Sequence, residues 1–240
     1  MFMVPWLLAT LVVTGVTMTL YATAYKATSI HTVSLAAALW SLGIAALLRL
    51  SWRHLSNGIG EDVVQGTIAL KVRYPLPYLG VVVADHIGRS TPCFMALPFF
   101  VLFAVVMGGV PHVEAPVLST FLGLLLFCGG AVLSGMVYIM LGLNAFWIEN
   151  AEPVLWIFEK TTLVLGGSVI PLALLPSTAR NIIEFTPFAA TGFAARAVNA
   201  DFLAVAPKLI MVQAVWLILF GGLLFVIWRK AVRRLDVNGG

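Results

Sequence analysis

Residues able to do chemistry are few in this chain and scattered. The four histidines, His31, His54, His86 and His112, fall in separate segments, so no Ser–His–Asp relay can be assembled from neighbours in sequence. His112 and Glu114 share a short turn, where a lone His–Glu pair reads as solvated surface rather than a metal site. Asp85 and Arg89 stand four apart and share a helix face beside His86; they fit a water interface, with the lining of a polar path as the alternative. The two cysteines, Cys93 and Cys128, lie in apolar runs without CxxC spacing or a nearby histidine, which predicts small buried hydrophobes. No GxxxxGK[ST], HExxH, GxSxG or zinc-spaced Cys/His pattern occurs. The chain is therefore expected to perform no catalysis and to hold no cofactor or metal of its own.

Composition says which solvent surrounds it. Of 240 residues, 61% are hydrophobic and 10% charged, against about 25% charged in an ordinary globular domain. Mean hydropathy is +1.02. A water-soluble domain of this size cannot bury so much apolar surface, so lipid is the expected solvent. The net charge of +4 reports loop placement and anionic lipid contact. No basic, aromatic-interleaved patch points to nucleic acid.

A span needs about 20 mostly apolar residues. That rule places membrane helices near residues 4–25, 32–50, 79–110, 116–148, 154–175 and 209–228. Ala22-Thr23-Ala24 looks like a signal cleavage site, but no basic segment precedes it and the uncharged run outlasts the usual 7–15 residues, so the first segment is kept as a helix. Pro92 and Pro98 predict a kink or broken start in the third helix. Cys128, Ala131, Gly135 and Gly142 put small residues on one side of the fourth, allowing close packing. Residues 146–160 form an amphipathic connector into a short fifth helix, with Trp147 and Trp156 suited to an interface belt. Residues 177–206 carry Arg180, Glu184, Arg196 and Asp201 around Pro187. They are too broken to span and fit two short helices dipping into the outer leaflet.

With both termini cytoplasmic and six crossings, the inner side holds Arg49, Arg53, Lys71, Arg73, Arg89, Lys160 and the tail Arg229, Lys230, Arg233 and Arg234. The outer side holds only Lys26, Arg180, Arg196 and Lys208. This excess inside agrees with the positive-inside rule. The stretch 57–78 then faces the cytoplasm. It combines Glu61 and Asp62, Gly66, Lys71, Arg73 and Pro75 with Val63, Ile68 and Leu70. A docking helix needs apolar residues for a partner's groove and charges for its rim. Val63, Ile68 and Leu70 suit the first role, and Glu61, Asp62 and Lys71 the second. A plain solvated connector is the alternative.

Two stretches resemble permeases of type 2 ATP-binding-cassette (ABC) exporters, in the bacterial six-helix subgroup. One is Glu61-Asp62, Gly66, Leu70, Pro75-Leu76 and Tyr78, similar to the group's cytoplasmic coupling region. The other runs through Phe146-Trp147, Ala151-Glu152, Gly166-Gly167, Pro171-Leu172, Leu175-Pro176, Pro187-Phe188 and Ala195-Arg196, similar to the group's connector, fifth helix and outer hairpin. Two departures stand out: only Met1–Met3 precede the first helix, where the group has an interfacial elbow, and Ala194 stands where a proline is usual.

The resemblance implies an all-α integral membrane protein. It would have six transmembrane helices, a cytoplasmic coupling helix and an outer re-entrant hairpin between helices 5 and 6. It implies a multi-pass subunit of the bacterial inner membrane, pairing with a second permease, the same or related. ATP and Mg would be bound by a separate ABC ATPase. Hydrophobic or amphipathic cargo would move out of the cytoplasm along a path between the two permeases, with membrane lipids around it. The implied coupling residues are Glu61, Asp62, Val63, Gly66, Ile68, Leu70, Lys71 and Pro75. The implied hairpin residues are Pro176, Arg180, Pro187, Phe188 and Arg196. Two other readings stay open: a non-transporting scaffold or assembly subunit, and a membrane-embedded lipid-modifying enzyme, which would need His, Asp and Glu clustered at membrane depth.

Overall fold

A chain this apolar must satisfy its peptide groups within itself, and coiling does so locally. The computed structural model describes residues 3–27, 34–49, 52–90, 97–148, 152–169, 171–172 and 175–238, and no strand occurs among them. The helices are α1 (Met3–Ala27), α2 (Leu35–Arg49), α3 (Trp52–Val64), α4 (Thr67–Lys71), α5 (Tyr78–Ser90), α6 (Leu97–Gly108), α7 (Pro116–Leu143), α8 (Glu152–Leu165), α9 (Ser177–Glu184), α10 (Pro187–Ala190) and α11 (Phe202–Asn238). Short 3₁₀ turns cover Asn144–Phe146 and Phe193–Val198. Among the described residues, 116–146 and 202–234 are long and apolar enough to cross a membrane, and 11–25, 35–47, 78–88 and 98–108 form shorter apolar helices.

Helix α7 is the axis. It packs along α11, against α3 near its C-terminal end, and against the Phe193–Val198 turn near its N-terminal end. Glycines set these approaches. A Cβ on Gly130 would sit 2.5 Å from the Thr191 carbonyl oxygen, and one on Gly142 would sit 2.8 Å from that of Ser56. The two long helices run parallel. Gln213 on α11 donates to the Leu126 carbonyl, and further along Arg234 donates to that of Phe146. Gln213 is buried and also reaches the Ala190 carbonyl at 2.8 Å, tying α10 to both. Helices α1, α2 and α6 form a second group around Met18, Leu39, Leu42 and Phe100. Ser41 bridges the groups: its hydroxyl lies 2.8 Å from the Ala195 carbonyl.

Several expected boundaries shift. The polar stretch expected to begin at residue 57 is helical as far as Val64, because Leu55 and Ile59 bury against the end of α7. The third expected span divides into α5 and α6; Pro98 stands at the second position of α6, where its missing N–H costs nothing, and Pro92 lies outside the described residues. The fourth helix ends at Leu143 in a 3₁₀ turn instead of reaching 148. The fifth is α8, ending at Leu165. There Gly166 presses on Gly192, and Gly167 takes a positive φ of 81° that other residues resist. The sixth runs 202–238 rather than 209–228, continuing through Pro207. Cys128 is exposed on α7, not buried, because the helix turns its other faces to α3, α11 and the hairpin; Cys93 lies outside the described residues. The close approaches fall on Gly123, Gly129, Gly130 and Gly142, so the expected single face of Cys128, Ala131, Gly135 and Gly142 is replaced by contacts that differ at the two ends.

A Cβ on Gly192 would fall 2.2 Å from the Gly166 carbonyl oxygen, whereas one on Gly222 meets nothing within 4 Å. Gly192→Ala is therefore expected to destabilise by about 1–3 kcal/mol, the usual cost of forcing backbones apart. Gly222→Ala should leave thermal unfolding in detergent unchanged or slightly raised. Equal melting temperatures for the two variants would contradict this packing.

Candidate functional site

Two polar regions interrupt the apolar bundle, one at each end of α7 and α11. The first begins where α3 stops. Gly66 adopts a left-handed φ of 72°, which lets the chain reverse into α4. Beyond α4, residues 72–77 contain Pro75 and Pro77, which discourage continuation of the helix until α5 starts at Tyr78.

Asp62 organises this reversal. Its carboxylate accepts from Lys71 Nζ at 2.6 and 2.8 Å, from the Thr67 hydroxyl at 2.9 Å and from the Tyr78 phenol at 2.8 Å. Burial alone pushes this carboxyl up. The bonds from Lys71, Tyr78 and Thr67, with the Lys71 charge, outweigh it and hold Asp62 below the usual aspartate range. Burial, then the bond to Asp62 and its charge, push the Tyr78 phenol far up, so it remains a donor. Lys71 is half exposed, so solvent screens its share of the pairing. Tyr78 is 4% exposed, and its ring stacks on Trp228 of α11 at 5.7 Å and 4°.

The expected coupling residues divide. Glu61, Gly66, Leu70, Lys71 and Pro75 are exposed. Val63 packs against the core containing Leu55 and Ile59. Ile68 is fully buried and anchors α4, so it offers nothing to a partner. Asp62 is engaged inside the chain rather than standing on a rim. Val64 and Tyr74, which sequence reasoning passed over, and Leu76, which it named only in the resemblance, are exposed apolar residues of this end. Tyr74 and Leu76 flank Pro75 in sequence, and clustered apolar side chains left exposed at one end mark an interaction surface. A groove of about 800 Å³ opens between α3 and α5 and is lined by Glu61, Asp62, Tyr74, Asp85 and His86. Arg89, expected to pair with Asp85, has its side chain outside the described residues.

The second region is the hairpin between α8 and α11. Arg196 and Glu184 are buried. Arg196 reaches Glu184 at 3.2 Å and Asp201 at 2.7 Å, and Lys208 closes on the other Glu184 oxygen at 2.7 Å. Buried charges persist only when paired, and removing one partner costs about 3–5 kcal/mol. Sequence reasoning marked Arg196 but not the roles of Glu184, Asp201 and Lys208. The available signal was four opposite charges confined to one apolar stretch. Pro176 immediately precedes α9, on which Arg180 sits half buried. Pro187 opens α10, where the Thr186 hydroxyl accepts from the Ala189 N–H at 3.3 Å. Phe188 packs on Phe158 of α8 with ring centroids 5.7 Å apart. His112 and Glu114 are exposed near the start of α7. Among the described residues no three His, Cys, Asp or Glu gather within reach of a metal.

No curated protein and no solved structure matches the chain. The family model described as "ABC-2 family transporter protein" matches residues 41–239, which takes in both polar regions and every helix from α3 onward. A helical membrane body with one short helix at a reversal and a broken hairpin at the opposite end thus has a family: the chain belongs to the ABC-2 transporters.

Proposed function

We propose that this chain is the permease subunit of an ATP-driven exporter of the bacterial inner membrane, crossing six times with both termini cytoplasmic. Spans one, two and six are α1, α2 and α11, and α3 leads from span two out to the cytoplasmic turn. Span three is α5 beyond Tyr78 together with α6, span four α7 and span five α8. The hairpin of α9, α10 and the Phe193–Val198 turn re-enters from the outer face. ATP and Mg are held by a separate ABC ATPase, and the chain itself makes no chemical step. The observation that carries this reading is α4: a helix of five residues, pinned from behind by Ile68 and Asp62, with Leu70, Tyr74 and Leu76 exposed around it. That is a rigid apolar projection rimmed by Glu61, Lys71 and Arg73, the form a docking element needs.

The permease pairs with a second one, identical or related. Its cargo is amphipathic or lipid-like. A cleft of about 840 Å³ between α2, α6 and α7, lined by Trp40, Ile44, Phe100, Ala104 and Phe127, supports that cargo class, because its walls offer almost only hydrocarbon.

Leu70→Glu and Tyr74→Glu should each weaken retention of the ATPase subunit in pull-downs by about tenfold or more, as loss of an interface anchor does. Yield in the membrane should be unchanged, since both side chains face outward. Full retention in both variants refutes docking at α4. In a chain whose own cysteines are replaced by serine, Tyr74→Cys should react with an impermeant maleimide only from the cytoplasmic side, and Phe185→Cys only from outside. The reverse pattern inverts the topology.

A further inference from the structure

The Asp62 cluster does more than shape the α3–α4 reversal: it is one end of a continuous line of contacts to the hairpin. Lys71 and Thr67 of α4 bind the Asp62 carboxylate, and the Tyr78 phenol binds its other oxygen at 2.8 Å. The Tyr78 ring lies flat on Trp228, with planes 4° apart. Trp228 belongs to α11, an unbroken helix of 37 residues, about 55 Å long at 1.5 Å per residue. Near its start Lys208 grips Glu184 and Gln213 grips the Ala190 carbonyl. Near its finish Arg234 grips the Phe146 carbonyl at 2.6 Å and lies over the Trp147 ring.

Each joint along this line resists displacement. A hydrogen bond from a buried phenol to a carboxylate is charge-assisted and short. Tyr78 is buried and Trp228 half-buried, so the stacked rings cannot slide apart without losing packed contact. From Lys208 to Trp228, past Pro207, the helix is continuous, and its own bonds make it stiff along its axis.

We infer that Tyr78 is a positioning residue that couples α4 to α11, so that a displacement of α4 moves α11 along its axis and with it the α9–α10 hairpin. This rests on the reading of α4 as the ATPase docking element. Tyr78 suits the task because it has two ends: its hydroxyl holds the docking turn and its ring holds the long helix. Phenylalanine supplies only the second attachment.

The test uses the full chain assembled with its ATPase subunit in nanodiscs, with amide hydrogen exchange measured with and without ATP and Mg. In the wild type, ATP should alter exchange both in peptides covering 62–74 and in those covering 187–199. Tyr78→Phe should keep the first change and reduce the second by about threefold or more, within the range that relay mutations modulate coupling. Trp228→Ala should do the same by breaking the other joint, and the double variant should lose no more than the worse single one. Leu79→Ala, which packs in the same core outside the line of contacts, should lower the melting temperature yet leave the change at 187–199 intact. If both Tyr78→Phe and Trp228→Ala keep the full response at 187–199, the relay is overturned while docking stands. If the wild type shows no response at 62–74, the docking reading falls and the relay with it.

Discussion

A peptide group inside hydrocarbon has no water to turn to, and each one left unpaired costs several kcal/mol. Long helices meet that demand by themselves. The stretch from Gly166 to Asp201 cannot, because prolines and glycines break it into α9, α10 and a 3₁₀ turn. The remainder of the bundle is arranged to cover it. Gln213 reaches one of its carbonyls, that of Ala190, and Ser41 reaches that of Ala195, while Gly130 and Gly192 allow backbones to touch where any side chain would intervene. The axial position of α7, with small residues facing the hairpin, follows from the same need.

Charge obeys the same restriction. Arg196 and Glu184 are buried together; half-exposed Asp201 takes the other side of the guanidinium, and Lys208 completes the set. The arrangement holds a non-helical turn in one register, since rotating it would strand a charge in an apolar medium. At the other end Asp62 gathers three donors, two from α4 and one from α5. Both networks draw residues close in sequence into one knot, and both are anchored to α11, through Lys208 at its start and Trp228 toward its finish. One helix thus touches the two polar sites of the molecule.

Much of this was legible in the residues. Apolar run lengths marked where helices belong, prolines and glycines marked the broken hairpin, and Glu61 through Pro75 marked the projecting turn. Where expectation and structure part, the cause is tertiary. Asn57 opens the polar stretch expected to project from the bundle, yet Ile59 and Leu55 find a buried seat against Leu143 and its neighbours and carry the helix onward. Ile68 and Leu70 are indistinguishable as apolar neighbours in sequence, but one is buried and the other exposed. Cys128 sits in an apolar run that gives no sign of which helix face will be covered.

The sequence by itself determined the solvent, the helical class, the two polar interruptions and the absence of any nucleotide-binding or catalytic motif, because these depend on composition and on patterns within about 20 residues. Tertiary structure alone decided which carboxylates are engaged, which apolar side chains stay exposed, and that Tyr78 bridges Asp62 to a tryptophan in the last helix. Those outcomes depend on pairings between residues far apart in the chain, and no local pattern records the angle at which one helix meets another.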